Sequence, residues 1–173
     1  MVPTSELSFV VEVEDDPRGW VIVSPLIDGV HLSDLVERFE LDHGMAPAGG
    51  YDGTAVAGES PRVFAHGGVD AVELARHFLG DPADTTSRGR RWRFGRSRNT
   101  RVRLLACDGC CESGCWPGEM IATRADGVVE WAAFRNPHRR DRDYAGFGPF
   151  RFDEQQSLAA IGDLQRALLM HSA

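Results

Sequence analysis

The stretch that decides the fold is residues 119–134, EMIATRADGVVEWAAF. Two runs rich in β-branched and aromatic residues flank Asp126-Gly127. Asp-Gly between two such runs is the strongest short-range signal for a β-hairpin, because both residues accept the positive φ angles of a tight two-residue turn. The sequence therefore predicts two antiparallel strands, 119–124 and 128–134, joined at Asp126-Gly127.

A third strand is predicted immediately before this hairpin. In residues 101–106, RVRLLA, the side chains of Val102, Leu104 and Ala106 share one face, which is the period-two pattern of a half-buried strand. The three strands make a C-terminal meander. Residues 107–115, CDGCCESGC, connect the first two strands and contain all four cysteines of the chain.

The N-terminal part predicts a second hairpin and a helix. Residues 7–13 alternate between apolar and polar side chains, and residues 20–27, WVIVSPLI, follow the turn-forming segment EDDPRG. Both are strand patterns. A helix follows, with Gly44 available to end it. Its apolar stripe consists of Leu32, Leu35, Val36 and Phe39.

Two further helices are predicted. The first runs from about Val69 to Leu79, and Gly80 and Pro82 end it. The second begins at Asp153, which can cap it together with Gln156. Its inward-facing residues are Leu158, Ile161, Leu164, Leu168 and Leu169.

The element order ββ-α-α-βββ-α predicts one α+β domain over residues 1–173. Its mostly antiparallel sheet comprises the N-terminal hairpin and the C-terminal three-strand meander, packed by about three helices. Residues 44–60 are rich in glycine and alanine, have no hydrophobic period and predict a long loop.

The bulk sequence favours a cytoplasmic protein that does not contact a membrane. No stretch approaches the roughly 18 apolar residues of a membrane span. The N-terminus lacks a basic segment and soon reaches the acidic run Glu14-Asp15-Asp16, unlike a secretory signal. Because thiols stay reduced in the cytoplasm, four cysteines within nine residues favour metal binding or catalysis there.

The strand order predicts where the cysteines and one histidine meet. Strand 101–106 runs toward the cysteine segment, strand 119–124 runs away from it, and strand 128–134 runs back. His138 follows the third strand, so it reaches the same end of the sheet as the cysteines. The two outer strands of such a meander lie about 10 Å apart, which a loop of twelve residues spans easily.

Thiolates and an imidazole are the ligands of tetrahedral zinc. Cys107 and Cys110 have the spacing of a zinc knuckle, while the side chains of adjacent Cys110 and Cys111 diverge, so one of these two is spare. The predicted zinc ligands are Cys107, Cys110, Cys115 and His138, with Cys111 as the alternate fourth ligand. Three other interpretations stay open: thiols that bind nothing, a disulfide or redox pair, and a nucleophilic cysteine whose pKa His138 lowers. No catalytic residue is assigned, because no complete catalytic motif is present.

A basic segment stands out in an acidic chain. The net charge is −7, and residues 1–84 carry −12, whereas residues 85–103 contain eight arginines and no acid. The overall acidity argues against a dedicated duplex-binding domain. Arginines interleaved with aromatic residues suit a single-stranded nucleic acid or another anion, because guanidinium groups contact phosphates and rings stack on bases.

The candidate loop is Arg88–Arg103, and the alternative is a solvated loop that offsets the acidic N-terminal half. Its predicted contact residues are Arg90, Arg91, Trp92, Arg93, Phe94 and Arg96.

Several blocks of the chain form a recognisable pattern: LLACDGCCESGCWP (104–117), VVEWAAFRNPHRR (128–140) and DYAGFGPFRFDEQ (143–155), with LIDGVHLSDLV (26–36) and APAGGYDG (46–53) as further landmarks. In these blocks the chain resembles a family of uncharacterised bacterial proteins. The family cysteines correspond to Cys107, Cys110 and Cys115. This chain departs from the pattern by one inserted residue and by Cys111, where glycine is usual. The family has no established activity, so the resemblance implies a fold and no reaction.

We therefore expect a cytoplasmic, non-catalytic binding or interaction domain with a structural zinc ion and a protein or ligand partner that the sequence does not identify. Two alternatives stay open. One is an enzyme that uses a thiol or an open metal position near Cys107–Cys115 and His138. The other is a single-stranded nucleic-acid or anion binder acting through Arg88–Arg103.

Overall fold

The computed structural model describes residues 4–13, 21–45, 71–80, 100–105 and 117–171. The strands are β1 (Leu7–Val13), β2 (Val21–Ile27), β3 (Val30–His31), β4 (Thr100–Leu105), β5 (Gly118–Ala125), β6 (Val128–Arg135) and β7 (Phe150–Asp153). The helices are α1 (Leu32–Asp42), α2 (Ala71–Leu79) and α3 (Glu154–His171).

The strands form two antiparallel sheets. β1 to β3 make a three-stranded sheet and β4 to β7 a four-stranded sheet, each in chain order. A parallel bridge joins them where Ser5 lies beside Phe152, and the Ser5 N–H donates to the carbonyl of Arg151 at 2.7 Å. The predicted α+β class, with mostly antiparallel strands packed by about three helices, is confirmed. The N-terminal hairpin and the C-terminal meander, predicted as parts of one sheet, lie in two sheets.

The hairpin that decides the fold forms as predicted. β5 and β6 pair from Ala125 opposite Val128, and Asp126 and Gly127 have φ angles of 54° and 77°. Both turn residues are left-handed, as the two-residue turns that match strand twist require. The predicted boundaries of these two strands differ from the observed boundaries of β5 and β6 by at most one residue.

Two strands were not predicted. β3 has only two residues, too few to show a period. β7 follows Gly148-Pro149 in a segment rich in glycine and aromatic residues, a composition that indicates a loop. Its pairing with β6 turns the predicted three-strand meander into a four-stranded sheet.

The core draws on both sheets and on all three helices. Trp131 is fully buried, and its indole N–H donates to the carbonyl of Phe78 in α2 at 2.6 Å. Asp153 caps α3 by accepting the backbone N–H of Gln156 at 2.9 Å. The Gln156 amide in turn donates to the carbonyl of Leu7 and accepts its N–H, which satisfies backbone groups of the edge strand β1.

The predicted inward face of α3 is right except at its end. Ile161, Leu164 and Leu168 are buried and Leu158 is partly buried, but Leu169 is 50% exposed. Consecutive helical residues are about 100° apart around the axis, so Leu168 and Leu169 do not share a face. In the described ranges, no helix has both the length and the hydrophobicity to cross a membrane.

Candidate functional site

The end of the C-terminal sheet opposite the Asp126-Gly127 turn is irregular on both sides of β5. On β4 the pairing shifts by one residue between Arg103, opposite Glu119, and Leu105, opposite Gly118. On β6 it shifts between Ala132 and Arg135, where Ala133 has a φ angle of 54°. Such bulges bend a strand, re-aim side chains and are common beside functional sites.

The bulges align three charged side chains across three strands, which we call the Glu119 row: Arg103, Glu119 and Arg135. The Glu119 Oε2 atom accepts hydrogen bonds from Nε and Nη2 of Arg135 at 2.9 and 2.8 Å, and Oε1 accepts a longer one from Arg103 Nε at 3.5 Å. Partial burial raises the pKa of Glu119, but the two arginines outweigh it and hold that pKa below its ordinary value. The Glu119 row therefore holds an ionised carboxylate at neutral pH.

Arg101 adds a third guanidinium on the same face. Its Nη1 donates to the carbonyl of the bulge residue Ala133 at 3.2 Å. Burial and the charge of Arg135 lower the pKa of Arg101, and the charge of Glu119 opposes them. Three arginines therefore surround one carboxylate, which leaves this end of the sheet face locally cationic in an acidic protein.

The predicted zinc ligands fall partly outside the described residues. The structure does not describe the range 106–116, which contains all four cysteines: Cys107, Cys110, Cys111 and Cys115. The two ends of that range are described: Leu105 and Gly118 are paired neighbours on β4 and β5. The cysteine segment thus leaves and re-enters the sheet at one end, as the topology predicts.

His138 follows the same end of the sheet. It lies three residues after Arg135, in a turn where Asn136 Oδ1 accepts the His138 backbone N–H at 2.9 Å. The imidazole is exposed. Among the residues that the structure describes, no group of three or more His, Cys, Asp and Glu side chains is placed to hold a metal ion.

The predicted anion-binding contacts Arg90, Arg91, Trp92, Arg93, Phe94 and Arg96 also fall outside the described residues. The last two arginines of the basic segment, Arg101 and Arg103, lie within β4 and are exposed.

A buried polar cluster was not predicted. Glu40 of α1 is fully buried, and its Oε1 lies 2.8 Å from Nη1 of Arg142, whose side chain is only 3% exposed. The Tyr144 hydroxyl donates a hydrogen bond to the same carboxylate oxygen. We call Glu40, Arg142 and Tyr144 the buried cluster. It ties the turns after β6 to α1.

One sequence signal for this cluster existed. Leu32, Val36 and Glu40 are spaced four residues apart and lie on one helical row, so Glu40 continues the apolar stripe of α1 into the core. A carboxylate at a buried position requires a cationic or hydrogen-bonding partner. The partner residues, more than a hundred positions later in an aperiodic segment, had no such signal.

The pKa values in the buried cluster favour a structural role over a role in proton transfer. Burial raises the pKa of Tyr144, and the hydrogen bond to Glu40 raises it further. Burial lowers the pKa of Arg142, but Glu40 and Tyr144 outweigh it and raise that pKa above its ordinary value. General acids and bases work best with a pKa near the working pH, so neither Tyr144 nor Arg142 has the pKa of a proton-transfer group at neutral pH.

A small cavity links the buried cluster to the Glu119 row. It has a volume of about 20 Å³, enough for one water molecule. Its lining includes Glu40 and Tyr144 on one side, Leu105 and Gly118 at the ends of the cysteine segment, and Glu119 with Asn136. The cavity therefore lies between the carboxylates of Glu40 and Glu119. The ends of β4 and β5 and the turn that bears His138 are next to it.

Comparison of the chain with protein-family models, with curated proteins and with solved structures finds no match. The resemblance noted above thus stays a prediction.

Proposed function

We propose that this protein is a cytoplasmic, non-catalytic binding domain in which a zinc ion stabilises the cysteine-bearing end of the C-terminal sheet. The proposed ligands are Cys107, Cys110, Cys115 and His138, with Cys111 as the alternate. One observation carries the proposal: Leu105 pairs with Gly118, and Glu119 pairs with Arg135. Both ends of the cysteine segment and the turn that bears His138 therefore start from neighbouring points.

The surroundings of this region support a structural role for the ion. Each strand end beside the cysteine segment is buried or salt-bridged: Leu105 is 4% exposed, and Glu119 binds Arg135. A zinc ion with four protein ligands is closed to substrate and stabilises the fold instead. The raised pKa of Tyr144 is consistent with the absence of proton-transfer chemistry from that side chain.

Elemental analysis of the purified, untagged protein tests this proposal. We expect about one zinc ion per chain, and we expect its removal by a chelator to lower the thermal midpoint of unfolding, because metal-binding free energy is folding free energy in such sites. Cys115→Ser and His138→Ala should reduce the zinc content, whereas His77→Ala, a histidine of α2, should not.

Metal-free protein with unchanged stability after chelation would contradict the proposal. If the same metal-free protein had one cysteine that is alkylated far faster than the others, the enzyme alternative would be favoured, because fast alkylation reports a thiolate of lowered pKa.

A second candidate function has its own support. We propose that the basic segment binds a single-stranded nucleic acid, because its last residues, Arg101 and Arg103, lie on an exposed sheet face where Arg135 adds a third guanidinium. Within the described part of this sheet end, Glu119 is the carboxylate that offsets part of this positive charge. Phosphate groups are the anions that such a cluster recognises.

Fluorescence anisotropy with a labelled single-stranded RNA tests the second candidate. We expect affinity to fall steeply as salt rises from about 50 to 300 mM, because phosphate contacts release counterions. Arg101→Gln combined with Arg103→Gln should weaken binding, and Arg166→Gln, an exposed arginine of α3, should serve as the control. Undetectable binding at low salt would end this candidate.

A further inference from the structure

A second and wider open space among the described residues lies elsewhere, between α2 and α3. This α2–α3 groove has a volume of about 460 Å³, within the range of about 300–1,000 Å³ typical of small-molecule sites. Small side chains create it: Ala71 and Ala75 on α2 and Gly162 on α3. Val72, 60% exposed, and Ile161 contribute apolar surface.

The floor of the groove carries a cation. Arg124 shares a face of β5 with buried Met120 and Ala122 and is only 12% exposed. Its Nε atom is buried and has no hydrogen-bond acceptor among the described residues. Its ion pair with Glu154 is long, 3.7 Å from Nε to Oε1, which exceeds hydrogen-bonding distance.

A buried donor without an acceptor is costly and is rare in folded proteins unless a water, an ion or a ligand satisfies it. Arg124 thus provides a charged, under-satisfied donor at the base of an apolar groove. Arg76 lies at the rim of the same groove, which adds positive charge. The combination suits a ligand with an apolar body and an anionic head.

The length of the groove selects the kind of ligand. Its lining on α2 comes from residues 71 to 76 and on α3 from residues 158 to 162, so it extends about 7.5 Å, less than one and a half helical turns. A docked partner helix makes anchors at i, i+3, i+4 and i+7, which requires a longer groove. A flexible acyl chain does not need that length, because it can bend within the volume of the groove.

We propose that the α2–α3 groove binds a small amphipathic carboxylate, with the acyl chain against Ala75, Ile161 and Gly162 and the carboxylate on Arg124. The site lies toward the Asp126-Gly127 end of β5, away from the cysteine segment. It does not depend on the proposed zinc ion, so either proposal can fail without the other.

Calorimetric titration of the full chain with decanoate, below the concentration at which it forms micelles, tests the assignment. We expect saturable binding at one site. Decanol, which lacks the charge, and acetate, which lacks the chain, should each bind about tenfold or more weakly, because a hydrogen bond to a charged group and the apolar contacts are both needed.

Gly162→Leu should fill the groove and remove decanoate binding. A Cβ at position 162 meets only Arg166 Nη1, at 3.6 Å, and leucine favours helix more than glycine does, so this variant should fold. Ala159→Leu adds similar bulk on an exposed position of α3 and should bind decanoate as the unmodified chain does. Arg124→Met should reduce decanoate affinity to that of decanol.

Three results would overturn the proposal: no saturable binding of decanoate, equal binding of decanol, or unchanged binding by Gly162→Leu. Sedimentation velocity adds a fourth. A concentration-dependent dimer that Gly162→Leu converts to a monomer, without decanoate binding, would assign the groove to a second copy of the chain.

Discussion

The buried cluster and the Glu119 row are built from similar side chains, but the first is buried in the protein and the second is partly exposed to water. Each has one glutamate held by two neighbouring donors, and both line the same cavity. In the buried cluster, Glu40 is 0% and Arg142 3% exposed. In the Glu119 row, the carboxylate is 10% exposed, but its arginines are 50% and 48% exposed.

The difference in burial changes what each set of charges contributes to the free energy of unfolding. Charges removed from water must satisfy one another, so breaking the buried cluster leaves an uncompensated charge. Breaking an ion pair of half-exposed arginines changes the free energy of unfolding little, because water solvates the remaining charge. Their guanidinium groups are also accessible to a ligand. The buried cluster therefore holds α1 to the sheet end, and the Glu119 row presents half-exposed guanidinium groups at the surface, where we propose that phosphates bind.

The largest expected effect comes from Arg142→Met. It leaves Glu40 buried without its cation, so we expect the free energy of unfolding to fall by about 3–5 kcal/mol. The matched change in the exposed row, Arg135→Met, should cost about 1 kcal/mol or less. Urea unfolding followed by tryptophan fluorescence measures both. Equal losses in the two variants would show that burial does not separate the two sites.

An intermediate effect is expected from Tyr144→Phe. The variant removes the hydrogen bond to Glu40 and leaves that oxygen under-satisfied, which should cost about 1–3 kcal/mol. Phenylalanine keeps the ring that stacks near Phe39, with ring centroids 6.0 Å apart, so packing should survive.

The pH dependence of that variant gives a second readout. The raised pKa of Tyr144 means that the native state binds the phenolic proton more tightly than the unfolded chain does. Stability from this group is thus complete below about pH 10 and falls as the pH rises above it. Tyr144→Phe should lose less stability than the unmodified chain between neutral and alkaline pH, and identical slopes would contradict the assignment.

The smallest effect is expected from Glu119→Gln. We expect a loss of about 1 kcal/mol or less at neutral pH, since the partner arginines stay hydrated. The pKa of Glu119 is lowered in the native state from its ordinary value of 4.5. Its contribution is therefore present above about that pH and disappears as the pH falls through the lowered native pKa.

Acid titration of stability checks the sign. The unmodified chain and Glu119→Gln should differ at neutral pH and converge at low pH, and added salt should shrink the difference. Curves that diverge on acidification would contradict a lowered pKa.

The sequence predicts the parts of this fold that local chemistry determines. Asp126-Gly127 specifies the hairpin, and the stripe that begins at Leu32 specifies α1. The bulges at Arg103–Leu105 and Ala132–Arg135 leave no mark in composition, because an extra residue in a strand changes pairing rather than pattern. They place Arg103, Glu119 and Arg135 in one row, which the sequence alone did not suggest.

The buried cluster shows the other limit of prediction. Arg142 and Tyr144 belong to successive turns, and their partner Glu40 is about a hundred residues away in the sequence. Only the tertiary fold brings them together. In contrast, the sequence did predict that both ends of the cysteine segment and the turn that bears His138 lie at one end of the sheet. Antiparallel strands reverse direction at every turn, which fixes which loops share an end.

X-ray absorption at the zinc edge of the purified, untagged protein tests the central claim most directly. The account predicts three sulfur neighbours at about 2.3 Å and one nitrogen at about 2.0 Å, with the nitrogen signal lost in His138→Ala. A coordination shell of oxygen and nitrogen atoms only, or four sulfur atoms with a spectrum unchanged by His138→Ala, would contradict the convergence of Cys107, Cys110, Cys115 and His138 on one ion.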